Sequence, residues 1–277
     1  MGLFSKYKEN EGRLKGLLAK QGIDDSTIDS MMKQVEAKIN EEPSPRIAFI
    51  GFTGVGKSTT LNALFNAGQP TSDIRACTQK EAEIIGDVSK YTGSKGSVIV
   101  YDMPGLGEDR DADKRHIETY KRVLPIVDLI VWTFHTGDRA MTPMQEAIIK
   151  LSSEMGTDFQ DKLMFAINKA DAIAPGESDW NTRVNIPSKA QKENIKELEQ
   201  YIKEKIHQVL PRWDGSIVTY SAKKRYRLEE LMTAMIESMP SNRRWVLDAV
   251  ADVANMSELI APQYRELIES KRRSATK

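Results

Sequence analysis

The apolar residues of this chain form two kinds of pattern, short continuous runs and stripes with helical spacing. Continuous runs are typical of strands buried on both faces, and they stand at 46–50, 127–134 and 163–167. Further strands are predicted at 81–88, 97–101 and 216–220, the first two as an antiparallel hairpin. Between the runs, apolar residues three or four positions apart predict helices at about 113–124, 141–154, 190–209 and 227–239. This alternation favours an α/β fold, a three-layer αβα domain around a mostly parallel six-stranded sheet.

Both ends of the chain carry helical apolar spacing without strand signals. The first 42 residues predict two helices separated at Gly22, and Asp25 or Ser26 is expected to cap the second. The terminal helices either extend the core or pack together as a small bundle, because each pair has an apolar stripe to cover. The predicted parts are an N-terminal helical segment at 1–42, the α/β domain at 45–240 and a C-terminal helical segment at 241–277.

A glycine-rich loop follows the first buried run directly. Residues 51–58 read GFTGVGKS, which is the GxxxxGKS spacing of a P-loop between a strand and a helix. Glycines allow successive backbone N–H groups to point inward at a helix N-terminus, where an anion is favoured. We expect Lys57 between the β- and γ-phosphates and the Ser58 hydroxyl on Mg²⁺. The predicted phosphate-binding residues are Thr53, Gly54, Val55, Gly56, Lys57, Ser58 and Thr59.

The apolar strand at 98–101 ends in the sequence Asp102-Met103-Pro104-Gly105. At the end of the strand that follows a P-loop, an aspartate holds Mg²⁺, often through a water molecule. The Gly105 N–H is then placed to bind the γ-phosphate. Without the P-loop before it, this DxxG pattern would indicate no more than a turn.

Two further motifs follow buried strands and indicate the base. Asn168-Lys169-Ala170-Asp171 places a carboxylate where guanine offers its N1–H and exocyclic amine, a donor pair that adenine lacks. Asn168 is expected to buttress the base and the P-loop, and the Lys169 stem to lie along the purine face. In Ser221-Ala222-Lys223 the Ala222 N–H is expected to donate to the guanine carbonyl. Together the motifs predict a site for GTP and GDP.

Composition limits the possible cellular location and partners of the protein. The chain has 277 residues, 40% of them hydrophobic, and a formal net charge of zero, so it has ample core and no general attraction to nucleic acid or anionic lipid. A single cysteine, Cys77, excludes an intrachain disulfide and fits a reducing compartment. No apolar stretch reaches the length of a bilayer span, and the N-terminus has no signal-peptide pattern. We expect a soluble, cytoplasmic protein, and the mixed charge of the first helix disfavours membrane contact.

The order of these motifs resembles the Ras-like P-loop GTPase superfamily over roughly residues 46–240. Within it the chain looks most like the Era/TrmE-related branch, and closest to a bacterial group labelled 50S-ribosome-binding GTPases. The stretches that carry this likeness are SDIRACT at 72–78, DMPG at 102–105, LPIVDLIVW at 124–132 and GDRA at 137–140. The resemblance implies that Thr78 completes the Mg²⁺ shell with Ser58 and Asp102. It also implies a switch I around 68–80 and a switch II around 103–113, with Lys57, Thr78 and Gly105 as the catalytic groups.

Two positions depart from the family pattern. The place after DxxG, where Ras-type enzymes carry a water-orienting glutamine, holds Leu106, so intrinsic hydrolysis is expected to be slow. Gly54 stands where relatives in this branch often carry an asparagine that helps to bind K⁺, which puts potassium activation in doubt. Candidates for an arginine finger, each more simply read as a solvated charge, are Arg75, Arg110 and Arg139.

Three interpretations stay open at this stage. The first is a GTP-hydrolysing switch read by a partner, for which the family label suggests the ribosome. Era-like RNA binding through a KH domain is not expected, because that domain needs GxxG and no glycine follows Gly215. The second is a GTPase that dimerises through its G domains and moves a helical module, as dynamin-like, septin and immunity-related GTPases do. The third is a pseudo-GTPase that binds nucleotide without turning it over.

Overall fold

The structure is a computed structural model that describes residues 3–41, 43–68, 81–88, 97–137, 141–156, 158–240 and 243. The chain divides into two compact units. One consists of Met1–Pro45, Asp87–Ser97 and Ser241–Lys277, and the other of Arg46–Gly86 and Val98–Pro240. The C-terminal segment, except Arg243, lies outside the described residues. Whether it is helical therefore stays a prediction.

A six-stranded sheet forms the centre of the fold, as predicted. Its strands are β1 (Arg46–Gly51), β2 (Ala82–Asp87), β3 (Ser97–Asp102), β4 (Leu129–His135), β5 (Leu163–Asn168) and β6 (Ile217–Thr219). They lie side by side in the order β2-β3-β1-β4-β5-β6. Strand β1 pairs in parallel with β3 and β4, β4 with β5, and β5 with β6. This is the mostly parallel α/β architecture that the apolar runs predict.

Helices connect the strands at nearly the predicted positions. They are α1 (Leu3–Lys20), α2 (Asp25–Glu41), α3 (Lys57–Phe65), α4 (Arg110–Val123), α5 (Met141–Met155), α6 (Asp158–Asp161), α7 (Lys189–His207) and α8 (Leu228–Glu237). Short 3₁₀ turns lie at Leu124–Ile126, Ala170–Ala172 and Glu177–Asp179. The four-residue α6 and the 3₁₀ turns were not predicted, because elements this short show no periodicity.

In the smaller unit, α1 packs on α2 through buried apolar side chains. These are Leu14 and Leu18 of α1 and Ile28, Met31 and Met32 of α2. The predicted cap of α2 was wrong by one residue. The carboxylate of Asp24 accepts from the Thr27 backbone N–H at 2.9 Å, which satisfies a donor of the first turn. Arg243, the one described residue of the C-terminal segment, donates to the Pro43 carbonyl at 3.0 Å.

The larger unit has an aromatic cluster in its core, on one side of β4 and β5. The rings of Phe134 and Phe165 stack with their centroids 5.5 Å apart, and Trp213 meets Phe165 edge-on at 4.9 Å. The Trp213 indole N–H donates to the Leu163 carbonyl at 2.7 Å, so its one polar atom is satisfied in the core. The cluster supports the strand that ends at Asn168.

Removal of the central ring of this cluster should destabilise the fold. Phe165 is fully buried, so Phe165→Ala is expected to lower the free energy of unfolding by about 3–5 kcal/mol, measured by urea denaturation. Tyr201→Ala is the matched control, because Tyr201 is 40% exposed and its removal leaves no cavity. A loss of similar size in both variants would contradict the assigned core.

Candidate nucleotide-binding site

Four strands deliver the predicted motifs to one edge of the sheet. The P-loop follows the end of β1, Asp102 ends β3, Asn168 ends β5, and Ser221 comes shortly after β6. Since these strands run parallel, their carboxyl ends meet at the same edge, which is where α/β sheets bind ligands. The fold therefore brings together the residues that the sequence predicts as one site, as far as they are described.

The P-loop has the close backbone approaches that its glycines allow. Gly54 and Gly56 have φ angles of 80° and 94°, in the left-handed region that favours glycine. A Cβ atom on Gly56 would overlap the side-chain amide of Asn168. A Cβ atom on Gly105 would lie 2.5 Å from the Thr53 hydroxyl and 2.8 Å from its Cα. Both contacts hold the P-loop against neighbouring motifs with no room for a side chain.

Lys57 begins α3 and is only 7% exposed. Its ammonium donates to the carbonyls of Gly51 at 3.3 Å and Phe52 at 3.1 Å. Burial lowers the pKa of Lys57 to about 8, although the carboxylates of Asp102 and Glu108 act in the opposite direction. A phosphate group beside this ammonium would favour its charged form.

Two of the predicted Mg²⁺ ligands are in direct contact. The Ser58 hydroxyl donates to Asp102 Oδ2 at 2.7 Å, and the Asp102 side chain is fully buried. A hydroxyl and a carboxylate are the hard oxygen donors that Mg²⁺ prefers, so the pair fits that ion. Thr78, the third predicted ligand, lies outside the described residues, as do Arg75 and Arg139. Arg110 is the first residue of α4 and is exposed.

The side chain of Asn168 joins the phosphate-binding loop to the base-binding loop. It is 3% exposed, donates from Nδ2 to the Val55 carbonyl at 3.1 Å, and accepts at Oδ1 from the Ala222 N–H at 3.0 Å. The sequence assigned that Ala222 N–H to the guanine carbonyl, whereas in this structure it donates to Asn168. Lys169 adds a second tie to the P-loop, because its ammonium donates to the Gly54 carbonyl at 3.0 Å.

Asp171 lies beside these residues and is 2% exposed. Its carboxylate accepts a hydrogen bond from the Ser221 hydroxyl, which ties the two predicted base motifs together. At the rim, Lys223 forms an ion pair with Glu177. The ammonium of Lys223 holds the pKa of Glu177 below its usual value. Glu177 was not predicted, and it has no motif by which it could have been found.

The backbone of Leu106 is hydrogen-bonded to the end of β1 and to the start of the P-loop. Its N–H donates to the Gly51 carbonyl at 3.1 Å, and its carbonyl accepts from Thr53 N–H at 2.9 Å. The side chain is 4% exposed and belongs to the main hydrophobic core. In this conformation Leu106 packs against apolar neighbours, so it has no means of orienting a water molecule.

Three buried aromatic side chains near the site were missed by sequence reasoning. Tyr120 and His116 of α4 bond to backbone carbonyls of the DxxG loop, at Pro104 and Gly105. Tyr220 shares a hydrogen bond of 2.7 Å with the Thr60 hydroxyl of α3. In sequence each of these residues is an ordinary apolar-face or strand-end position, and its polar partner is known only from the fold.

The sequence and the fold of this chain are similar to those of known proteins. Residues 46–169 match the family model described as 50S ribosome-binding GTPase. The Uncharacterized protein YkfA of Escherichia coli (strain K12) is 29% identical over 217 residues, which cover 76% of this chain and 67% of YkfA. The chain therefore has the fold of a P-loop GTPase domain, and the match over 46–169 supports the predicted Ras-like P-loop GTPase class. Within that class, its residues 46–169 match the 50S ribosome-binding GTPases.

Solved structures share this fold. Era in complex with MgGDPNP and nucleotides of 16S ribosomal RNA superposes with a TM-score of 0.53 and 22% identity, over 72% of this chain and 57% of that chain. This chain thus spans little more than half of the Era chain. Toc33 from Arabidopsis thaliana, as a dimerization deficient mutant, has a TM-score of 0.55 and 15% identity, over 82% of this chain and 94% of Toc33.

Nucleotide affinity should depend on the protonation of Lys57. Free Lys57 has a pKa of about 8, and phosphate binding raises it, so binding above that pH takes up a proton. We expect the contribution of Lys57 to GDP affinity to be constant well below pH 8. GDP affinity should then fall as the pH rises through 8 to 9. Calorimetric titrations at pH 8.5 in two buffers of different ionisation enthalpy measure the uptake.

The same titrations at pH 7 are the control, where Lys57 is mostly charged and its uptake should fall to about a tenth of a proton. Lys57→Ala should abolish binding at either pH. Identical heats in both buffers at pH 8.5 would mean that Lys57 is already charged in the free protein.

Proposed function

We propose that this chain binds GTP with Mg²⁺, hydrolyses it to GDP and phosphate, and acts as a molecular switch. The observation that carries the proposal is the pair of hydrogen bonds made by Asn168 to Val55 and Ala222. Through this one amide, the loop for phosphate and the loop for the base become a single hydrogen-bonded site. A nucleotide is the ligand that requires both at once.

Asp171 supports guanine as the base. Its carboxylate is buried, and a buried acceptor loses free energy unless a donor meets it. The N1–H and exocyclic amine of guanine supply two such donors, whereas adenine presents an acceptor at the same place. We propose that Ser221, which already donates to Asp171, holds the carboxylate in the orientation that receives the base.

For the metal we propose Ser58, Asp102 and Thr78 as the groups around Mg²⁺. The ion would neutralise charge on the β- and γ-phosphates when bound. The residues of the chain then have separate tasks. Ser58 and Asp102 position oxygen donors, Lys57 lies along the phosphates, and the Gly105 N–H meets the γ-phosphate.

We propose residues 68–80 and 103–113 as switch I and switch II. GTP would hold both segments through its γ-phosphate, and hydrolysis would release them for a partner to read. The family description and the rRNA bound to Era support the ribosome as that partner. We also propose that the GTPase domain spans residues 45–240 and that the protein acts in the cytoplasm.

A second candidate is a GTPase that needs a dimer for hydrolysis. Leu106 is packed in the core, so the chain lacks the usual water-orienting group at that position. Dimerization is described as important for the GTPase activity of the chloroplast translocon components Toc33 and Toc159. A second copy of this chain would be able to supply a catalytic group across the nucleotide. If no partner supplies one, the chain is a pseudo-GTPase that only binds.

Asp171→Asn should change the base that the site selects. An amide at this place can accept only one of the two guanine hydrogen bonds, while it can donate to the extra carbonyl of xanthine. We expect GDP affinity to fall by about tenfold or more and xanthosine diphosphate to become the better ligand. Competition binding with a fluorescent GDP measures both. Asp179→Asn, at an exposed position on the nearby 3₁₀ turn, is the control, and an unchanged preference in Asp171→Asn would refute the base-reading role.

Light scattering on a sizing column, combined with phosphate release, separates the two candidates. The protein is run without nucleotide, with GDP and with a non-hydrolysable GTP analogue, and turnover is measured against protein concentration. A monomer in all states with slow, concentration-independent turnover is expected for a switch. A dimer confined to the GTP state, with turnover that rises with protein concentration, would contradict the switch and support the GTPase that needs a dimer for hydrolysis.

A further inference from the structure

The carbonyl of Pro104, in the loop that follows β3, is held by Tyr120 of α4. Tyr120 is fully buried, and its hydroxyl donates to the Pro104 carbonyl at 2.7 Å. Burial raises the pKa of Tyr120 well above its usual range, against the opposing effect of the Gly51 backbone. The phenol therefore stays protonated at neutral pH and keeps the proton that it donates in this hydrogen bond.

This hydrogen bond fixes more than one carbonyl. The Pro104 carbonyl and the Gly105 N–H belong to one planar trans peptide unit, in which the two bonds point in opposite directions. With the carbonyl directed to Tyr120, the Gly105 N–H is directed away from α4. On the other side of the loop, the α-carbon of Gly105 packs so closely on Thr53 of the P-loop that no side chain fits.

The next carbonyl is held by the same helix. His116 is 2% exposed, and its Nδ1 lies 2.8 Å from the Gly105 carbonyl oxygen. A carbonyl can only accept, so His116 carries its proton on Nδ1 and donates it. Gly105 is thus bracketed by two buried side chains of α4, one turn apart, which hold the peptide units on both of its sides.

Resting on the proposed function, we infer that Tyr120 and His116 are positioning residues that aim the Gly105 N–H at the γ-phosphate and link α4 to the presence of GTP. GDP lacks the group that this N–H would bind. The pair should therefore contribute to affinity for GTP and little to affinity for GDP. Any movement of Gly105 on loss of the γ-phosphate passes directly to α4, because the helix holds both carbonyls.

Tyr120→Phe and Tyr220→Phe form a matched pair for the test. Both tyrosines are fully buried, and each has a hydrogen bond of 2.7 Å, that of Tyr120 with the DxxG loop and that of Tyr220 with Thr60 in the P-loop helix. Affinities for GDP and for a non-hydrolysable GTP analogue are measured with Mg²⁺ by competition with a fluorescent GDP. The readout is the ratio of the two affinities, which a loss of general stability does not move.

We expect Tyr120→Phe to lower affinity for the GTP analogue by about two- to tenfold and to leave GDP affinity unchanged, the range for one lost hydrogen bond. Tyr220→Phe should leave the ratio as in the wild type. His116→Phe, which removes the Nδ1 donor, should shift the ratio in the same direction, and it decides the matter if Tyr120→Phe does not fold.

An unchanged ratio in Tyr120→Phe would overturn this inference. If Tyr120→Phe does not fold, an unchanged ratio in His116→Phe would overturn it. An equal shift of the ratio in Tyr220→Phe would also overturn it. That failure is distinct from failure of the proposed function. If the wild-type protein binds neither nucleotide, the GTPase assignment of the chain is wrong. If the wild-type protein binds both nucleotides and the α4 variants leave the affinity ratio unchanged, the nucleotide site is supported and the proposed role of α4 is wrong.

Discussion

The buried amide of Asn168 is the interaction on which the nucleotide site depends. It satisfies a carbonyl of the P-loop and an N–H of the loop after β6, and both groups are otherwise buried polar atoms that need a partner. A side chain without the amide would leave a donor and an acceptor unsatisfied at once. An aspartate would remove the donor to Val55 and place its charge against that carbonyl. The tight fit of Gly56 beside the amide follows from the same constraint, since the loop must come close enough to be held.

Much of this arrangement was predictable because its signals are local. Continuous apolar runs indicated the buried strands of a parallel sheet. The motifs follow the ends of these strands, and the carboxyl ends of parallel strands lie at one edge of the sheet. Asn168 was expected to brace the P-loop, and its hydrogen bond to Val55 makes that contact. The six-stranded sheet and the P-loop GTPase fold are confirmed.

The rest was not predictable because it depends on contacts between distant segments. Tyr120 and Tyr220 look like core residues in sequence, and only the fold shows that their hydroxyls meet Pro104 and Thr60. The cap of α2 was misplaced because Asp24, Asp25 and Ser26 are all good capping residues, and spacing alone does not choose between them. The ion pair of Lys223 with Glu177 has the same origin, as it joins two loops 46 positions apart.

Leu106 and Lys57 suggest how the site balances stability against chemistry. Leu106 adds an apolar side chain to the core at the place where Ras-type enzymes carry a water-orienting glutamine, so the protein gains packing there and lacks that group. Lys57 does the opposite, since burial disfavours its charged form in the free protein, and a bound phosphate would favour that form. On the proposed function, the first feature would slow turnover and the second would strengthen binding. A chain with both would spend long periods with nucleotide bound, and the timing of hydrolysis would then be set by whatever supplies the missing polar group.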